Sequence, residues 1–538
     1  MALVVPLLKR TRDDPFRDWV PVWLKAVVGV IILVPIMLAN GAYTGSNIDI
    51  SGFLGVLSED INIAYYAASA GMAIGYLVTP KVRPVATVKT VLLIAIVGQI
   101  ILSVICAETN YMEIITVCSF LIGYLKTFSL VEVFAILMPI FSPSNTRNEF
   151  YAKYFPVSLA CGQLSLVLTA ELAYIYRWQY MYYFMIALLL FSIIAVLITM
   201  KYARKLDRIP FKDIDWISLF LVSVCYMSII YFATYGKTKD WLASKNIVTA
   251  IVISIVTGWL FIRRQFSDNP CVDLSVLKNR SSAVTYTLAF LLMFFMSFSI
   301  LVSSYTTSVL QLDNTHVNGL YFFMIPGFVV GGFISYYFFI KEIRMAWLIF
   351  LGFACLTISI ALLYFQVTPG GLYEDLYLLM FLRGVGMHVL FLSFSVYGIS
   401  GLTPKQITYS GFYIVSSRSA LAPAVGSAIL TNWLYVLQQK NITILSAGVD
   451  TQNSMAMSQF AASAKAALAQ GWNIENAQQL ATNVLYRQVQ IQSTIVSIKT
   501  ISGWMLIFGI ILLIGILLYF FRFTPVKLMK MGKDMFGE

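Results

Sequence analysis

The chain has 538 residues; 59% are hydrophobic, 15% aromatic and only 12% charged, and the mean hydropathy is +0.80. Soluble domains carry about a quarter charged residues, so a soluble enzyme or binding module is excluded. The net charge of +12 would suit nucleic acid, but the cations sit between apolar stretches rather than on one patch, and that partner is excluded too.

Fourteen apolar stretches lie near residues 24–46, 62–80, 87–106, 112–138, 155–176, 179–200, 216–235, 246–264, 284–308, 317–340, 345–366, 376–400, 408–435 and 498–521. Each is long enough to cross a bilayer, where backbone N–H and C=O groups must be satisfied within their own segment. They are apolar all round, unlike the amphipathic helices of a soluble repeat. The expected fold is an all-α membrane protein with fourteen transmembrane helices.

Residues 1–23 include Lys9, Arg10, Arg12, Arg17, Asp13, Asp14 and Asp18, and no small-residue cleavage site follows the first apolar run. That run reads as a retained anchor. With residue 1 in the cytoplasm, roughly 26 Lys and Arg fall inside and roughly 8 outside, the positive-inside asymmetry of an inner (plasma) membrane protein. An even number of crossings returns the tail, 522–538, with Arg522, Lys527, Lys530 and Lys533, to the cytoplasm.

Two connections stand out. The basic loop with Lys201, Arg204, Lys205, Arg208 and Lys212 divides a six-helix half, 24–200, from an insert of two extra helices, 201–283. The second half spans 284–521 and contains a polar segment, 437–497, on the outer side. There Met457, Phe460, Ala464, Ala467 and Leu468 share a helical face. Leu480, Val484, Leu485, Ile491 and Ile495 predict a second helix running into the last span, after a break at Gly471-Trp472-Asn473. This outer hairpin is either a solvated cap or a docking surface.

Gly71 and Gly75, and Gly327, Gly331 and Gly332, mark close helix contacts. The six cysteines show no metal spacing and read as packing residues. His316 and His388 are too few for a zinc site. No P-loop motif is present, so ATP hydrolysis is not expected, nor any organic cofactor.

The stretch DNPCVDLSVLKNR, Asp268 to Arg280, resembles a cytoplasmic connection of the 14-span drug:proton antiporters in the major facilitator superfamily. Asp215-Trp216 and YGKTKDWL (Tyr235 to Leu242) resemble the flanks of that family's first extra span. RGVG (Arg383 to Gly386) and SSRSALAPAVGSAIL (Ser416 to Leu430) are similar to stretches of its last helices. The resemblance implies a 6+2+6 major facilitator fold with pseudo-symmetric halves and alternating access, and export of a lipophilic or amphipathic small molecule driven by the proton gradient. For some members it also implies a periplasmic adaptor and outer-membrane duct, which 437–497 would meet. A dedicated cargo (siderophore, lipid or secreted metabolite) is the alternative.

Several family positions differ here. LANGAYTGSN (Leu38 to Asn47) lacks the aspartate of the first span, and Asp49 follows only at the outer end. PKVRP (Pro80 to Pro84) lacks the loop's acid. SFLIGYLK (Ser119 to Lys126) offers Lys126 in place of an Arg and Gln pair, and ACGQLSLVLTAEL (Ala160 to Leu172) has no proline. The architecture therefore carries over and the proton-coupling residues do not.

Ionisable residues within spans each cost roughly 2.5–3.5 kcal/mol at a helix centre and call for an explanation. Lys126 and Glu132, about 600° of helix turn apart, do not share a face. Glu132 is the leading proton carrier, or else a fixed ion pair with a neighbouring helix. Glu171 reads as an interfacial charge, with Asp49 a further coupling candidate. Arg383 and Arg418 suit gating, helix pinning or substrate contact, and His388 suits titration or packing. Tyr65, Tyr66, Phe128, Tyr305, Tyr321 and Phe322 are candidates to line an aromatic cavity.

Overall fold

In the computed structural model each of these stretches is helical over most of its length. The structure describes residues 14–142, 146–202, 214–267, 270–450 and 452–523, with side chains through 520. The cluster after Lys201 lies mostly outside the described residues, as do the first thirteen positions and the basic tail. Among the described residues thirteen helices are long and apolar enough to cross a membrane, and a shorter apolar helix, α1 (Val22–Leu38), precedes them.

The first half continues with α2 (Ser58–Val82), α3 (Val88–Glu108), α4 (Met112–Phe141), α5 (Arg147–Ile175) and α6 (Tyr180–Thr199). The insert supplies α7 (Trp216–Tyr235) and α8 (Lys245–Arg264). The second half runs through α9 (Arg280–Met296), α10 (Met324–Ile340), α11 (Met345–Gln366), α12 (Asp375–Tyr397) and α13 (Pro404–Val415), then α14 (Ala422–Ser446), α15 (Ser454–Ala469) and α16 (Ile474–Phe523).

The first span is corrected by the structure. A helix over 24–46 was expected, but α1 stops at Leu38 and residues 39–43 leave the helix. Thr44–Ser46 then forms a single tight turn and Asn47–Leu54 a short helix at the hairpin end. Irregular backbone at this depth persists only where other helices satisfy it, and they do. Lys126 Nζ donates to Met37 O and Ala39 O, both at 3.0 Å. Ser165 Oγ donates to Leu38 O (3.2 Å) and Tyr182 Oη to Gly41 O (2.7 Å). Lower in α1, Pro35 has no N–H for the Ile31 carbonyl, and Ser192 Oγ donates there at 3.2 Å.

The two halves repeat one packing device. A methyl on Gly123 would lie 1.8 Å from Ala68 O, and one on Gly71 1.9 Å from Phe120 O, so α2 and α4 cross in backbone contact. In the second half a methyl on Gly384 would lie 2.3 Å from Met324 O, and one on Gly327 2.3 Å from Phe381 O, bringing α10 onto α12 in the same way.

The insert is not an appendage. Leu219, Val222, Tyr226 and Ile230 of α7 share a core with Ile74 and Leu77 of α2 and with Phe412 and Val415 of α13. At the hairpin end Tyr235 donates to Asp60, Thr238 to Glu59 (2.8 Å), and Trp241 Nε1 to Asn432 Oδ1 (3.1 Å).

The outer hairpin forms, with its break at Gly471 (φ +90°). Its seam differs from the expected one: Phe460, Ala464 and Ala467 of α15 turn toward Ala477 and Ala481 of α16, while Met457 and Leu468 are exposed. Alanines let the two helices approach closely. At 50 residues α16 is about 75 Å long, more than twice a hydrocarbon core. Its lower part is tied to α14 through Asn441–Ser497 (2.8 Å) and Gln438–Thr494 (3.1 Å).

Candidate functional site

A cavity of about 820 Å³ lies between the halves. It begins at Asn40, Tyr43 and Tyr65, under the hairpin end, and reaches Arg83, Arg147 and Pro404 at the opposite, basic end. At the hairpin end the halves are joined: Asn314 and Asn318 donate to Gly45 O at 2.8 and 3.1 Å, and Tyr66 Oη meets Ser427 Oγ at 3.0 Å. The cavity is therefore closed above and lined to its basic mouth.

Of the expected residues, Lys126, Tyr65 and Arg418 line this cavity. Lys126 caps the end of α1 as described. Arg383 sits at the matching place in the second half: on α12, 1% exposed, with Nη2 donating to Met296 O at 2.6 Å, where α9 breaks before Ser299. One cation on the fourth helix of each half thus holds the carbonyls at a break in that half's first helix.

Glu132 is 1% exposed and pairs with Arg83 Nε at 3.8 Å, at the end of α2. Lys126 and Glu132 do face different partners. His388 is fully buried against Gly331 and lies edge-to-face with Phe155 of the first half, ring centroids 6.4 Å apart. Glu171 is half-buried near the outer end of α5 and is not among the cavity-lining residues. Asp49 lies on the short outer helix, where partial burial pushes its carboxyl up from the ordinary range.

The aromatic set divides. Tyr66 is turned to Ser427, Phe128 packs edge-on to Tyr124 in the core shared with α7, and Tyr305 donates to Thr368 O at 2.9 Å. Tyr321 does not line the cavity, and Phe322 is exposed. Tyr65 apart, the rings that line it were missed: Tyr76, Phe134, Tyr151, Tyr154, Phe155 and Phe391 among them. Tyr151, Tyr154 and Phe155 stand at i, i+3 and i+4 in YAKYFP, a spacing that puts three rings on one face of α5. Arg83 and Arg147 were also overlooked as cavity residues.

Arg418 projects from a wide π-turn, Ser416–Leu421, between α13 and α14. Pro423 has no N–H for the Ser419 carbonyl, which favours the wider turn here. Its guanidinium lies over the Phe391 ring, 4.0 Å from the centroid.

Two packed helical halves enclosing a cavity that reaches one end define a membrane transporter rather than an enzyme. The chain belongs to the major facilitator superfamily, whose profile matches residues 26–427. It is similar to the multidrug export protein EmrB of Escherichia coli, 23% identical over 341 residues, covering 61% of this chain and 62% of that one. The colistin resistance protein EmrB of Acinetobacter baumannii is 24% identical over 295 residues, 52% and 54% of the two chains. The lincomycin resistance protein LmrB of Listeria innocua is 25% identical over 266 residues, 48% and 52%. The chain thus spans between 52% and 62% of the length of these relatives. Among solved structures, tetrameric PepTSo2 superposes with a TM-score of 0.50 over 91% of this chain and 98% of that one, at 11% identity, a likeness of fold. The bilayer is its environment.

Proposed function

We propose that this chain exports lipophilic or amphipathic small molecules by alternating access, driven by protons, from the inner (plasma) membrane. The observation that carries the reading is the cavity between the halves, closed under the hairpin end and lined to the basic end. With the basic end in the cytoplasm, as the positive-inside asymmetry supports, this is the state that loads cargo from within. The export named in the Escherichia coli relative supports the direction.

Glu132 is the proposed proton carrier. Its partner Arg83 lies at the cavity mouth, so protonation of the carboxylate releases a cation where the halves must close. The test is transport of a fluorescent amphipathic dye in proteoliposomes, which collapses when the pH gradient is dissipated. Glu132→Gln abolishes gradient-driven movement while the purified protein melts as before. Undiminished transport by that variant removes Glu132 from the mechanism.

The hairpin of α15 and upper α16 is the proposed docking element for a periplasmic adaptor leading to an outer-membrane duct. Exposed Met455, Trp472, Ile474 and Tyr486 give it apolar anchors. Deleting α15 then leaves transport in proteoliposomes intact and abolishes resistance in cells that supply the adaptor. Equal loss in both assays assigns the hairpin to folding instead.

A further inference from the structure

The charge of the central cavity is one-sided. Among the described residues four cationic side chains line it, Arg83, Lys126, Arg147 and Arg418, and no aspartate or glutamate does. Two of the four have identified work: Arg83 faces Glu132, which lies buried behind the wall, and Lys126 is committed to the carbonyls ending α1.

Arg418 differs. Its Nε and Nη1 are shut off from solvent and have no hydrogen-bond acceptor among the described residues. The guanidinium rests on the face of Phe391, which steadies a cation without neutralising it. The phenols of Tyr76, Tyr151 and Tyr154 lie around it, and each can donate as well as accept. A cation held this way in a poorly hydrated cavity is incomplete until an acceptor arrives, and a planar guanidinium presents paired donors that match a carboxylate, sulfonate or phosphate.

We infer that the cargo is an amphipathic anion, its acidic group held by Arg418 and the hydroxyls of Tyr76, Tyr151 and Tyr154, and its apolar body against Phe134, Phe155 and Phe391. This rests on the transport reading above and narrows it from lipophilic solutes in general to one charge class. A lipophilic cation finds no carboxylate in this lining and meets like charge instead. The wide turn at Ser416–Leu421 then has a purpose, because it aims this guanidinium, two of whose nitrogens have no acceptor among the described residues, at the solute.

4-(Triphenylmethyl)benzoate and tetraphenylphosphonium provide the test, since each carries four phenyl rings on one centre, they differ in sign, and the anion bears the carboxylate the proposal requires. Equilibrium binding of each is measured on the full chain in nanodiscs, against empty nanodiscs. The native protein should hold the anion about tenfold or more tightly than the cation, the size of one charge-assisted contact. Arg418→Gln should erase the preference, and Arg418→Lys should restore part of it, with melting curves confirming that both variants are folded. Binding of the cation in preference, or an anion preference unchanged in Arg418→Gln, overturns the charge class and leaves the transport reading standing. Binding of neither ion above empty nanodiscs overturns both.

Discussion

Lys126 and Arg383 show how a buried cation can belong to the backbone rather than to the cargo. Each donates to carbonyl oxygens that a broken helix leaves over, and such oxygens are costly when unpaired in hydrocarbon. Lys126→Met should therefore destabilise the purified protein by about 1–3 kcal/mol, read as a lower melting temperature in detergent, because two acceptors lose their donor. Arg383→Met should do the same through Met296 O. A variant that melts like the native chain would show that the breaks are satisfied some other way. Both residues were legible in the sequence as charges in need of a partner. Their partners were not, because a backbone carbonyl leaves no mark in composition or spacing. The same limit applied to the aromatic lining: Tyr66 and Tyr65 are adjacent, yet only one faces the cavity, and which one depends on how α2 is rotated by its contacts with α4.

At the scale of helices, glycine placement was the sequence signal that predicted most. Gly71 and Gly75 pointed to a tight crossing, and α2 does meet α4 in backbone contact. Gly123→Ala places a methyl against Ala68 O, a backbone atom that cannot swing aside, and should cost about 1–3 kcal/mol of stability. Retention of native melting in that variant would show that the two helices can part without loss. The start of α7 carries a pH-sensitive anchor. Burial raises the Asp215 carboxyl, but hydrogen bonds from Ser218 and the Arg264 guanidinium at 2.9 Å outweigh it, and the net shift is downward. A depressed carboxyl contributes stability above its unfolded value, roughly 3.9 for an aspartate, and loses it as pH falls through the folded value. Asp215→Asn should consequently flatten the decline in melting temperature on acidification below about pH 4. An identical acid profile in the variant would assign that decline elsewhere. The least legible element was α1, whose apolar run continues past Leu38 although the helix does not. Apolar composition sets where a chain can lie in lipid, and it does not say where neighbouring side chains will take over the hydrogen bonds.

For the whole molecule, the number and order of helices, the insert and the outer hairpin could all be read from apolar runs and the loops between them. The mutual arrangement of the halves could not, because it rests on a few cross-contacts far apart in sequence. Asn314 and Asn318 reaching Gly45 are such contacts, and they lock the hairpin end. Asn318→Leu should shift the population toward opening there, seen as faster thiol labelling of a cysteine placed at Tyr43 from the hairpin side. Unchanged labelling would mean that other contacts hold that end. The position of α7 has a further consequence. It fills the seam where α2 faces α13 and α14, so a solute wandering in sideways from the lipid leaflets meets a wall on that flank. The opposite flank is closed differently, by Gly332 of α10 lying directly against Ala152 and Pro156 of α5. The two seams between rotationally related halves are thus sealed by different means, and the added helices make this rotor handed.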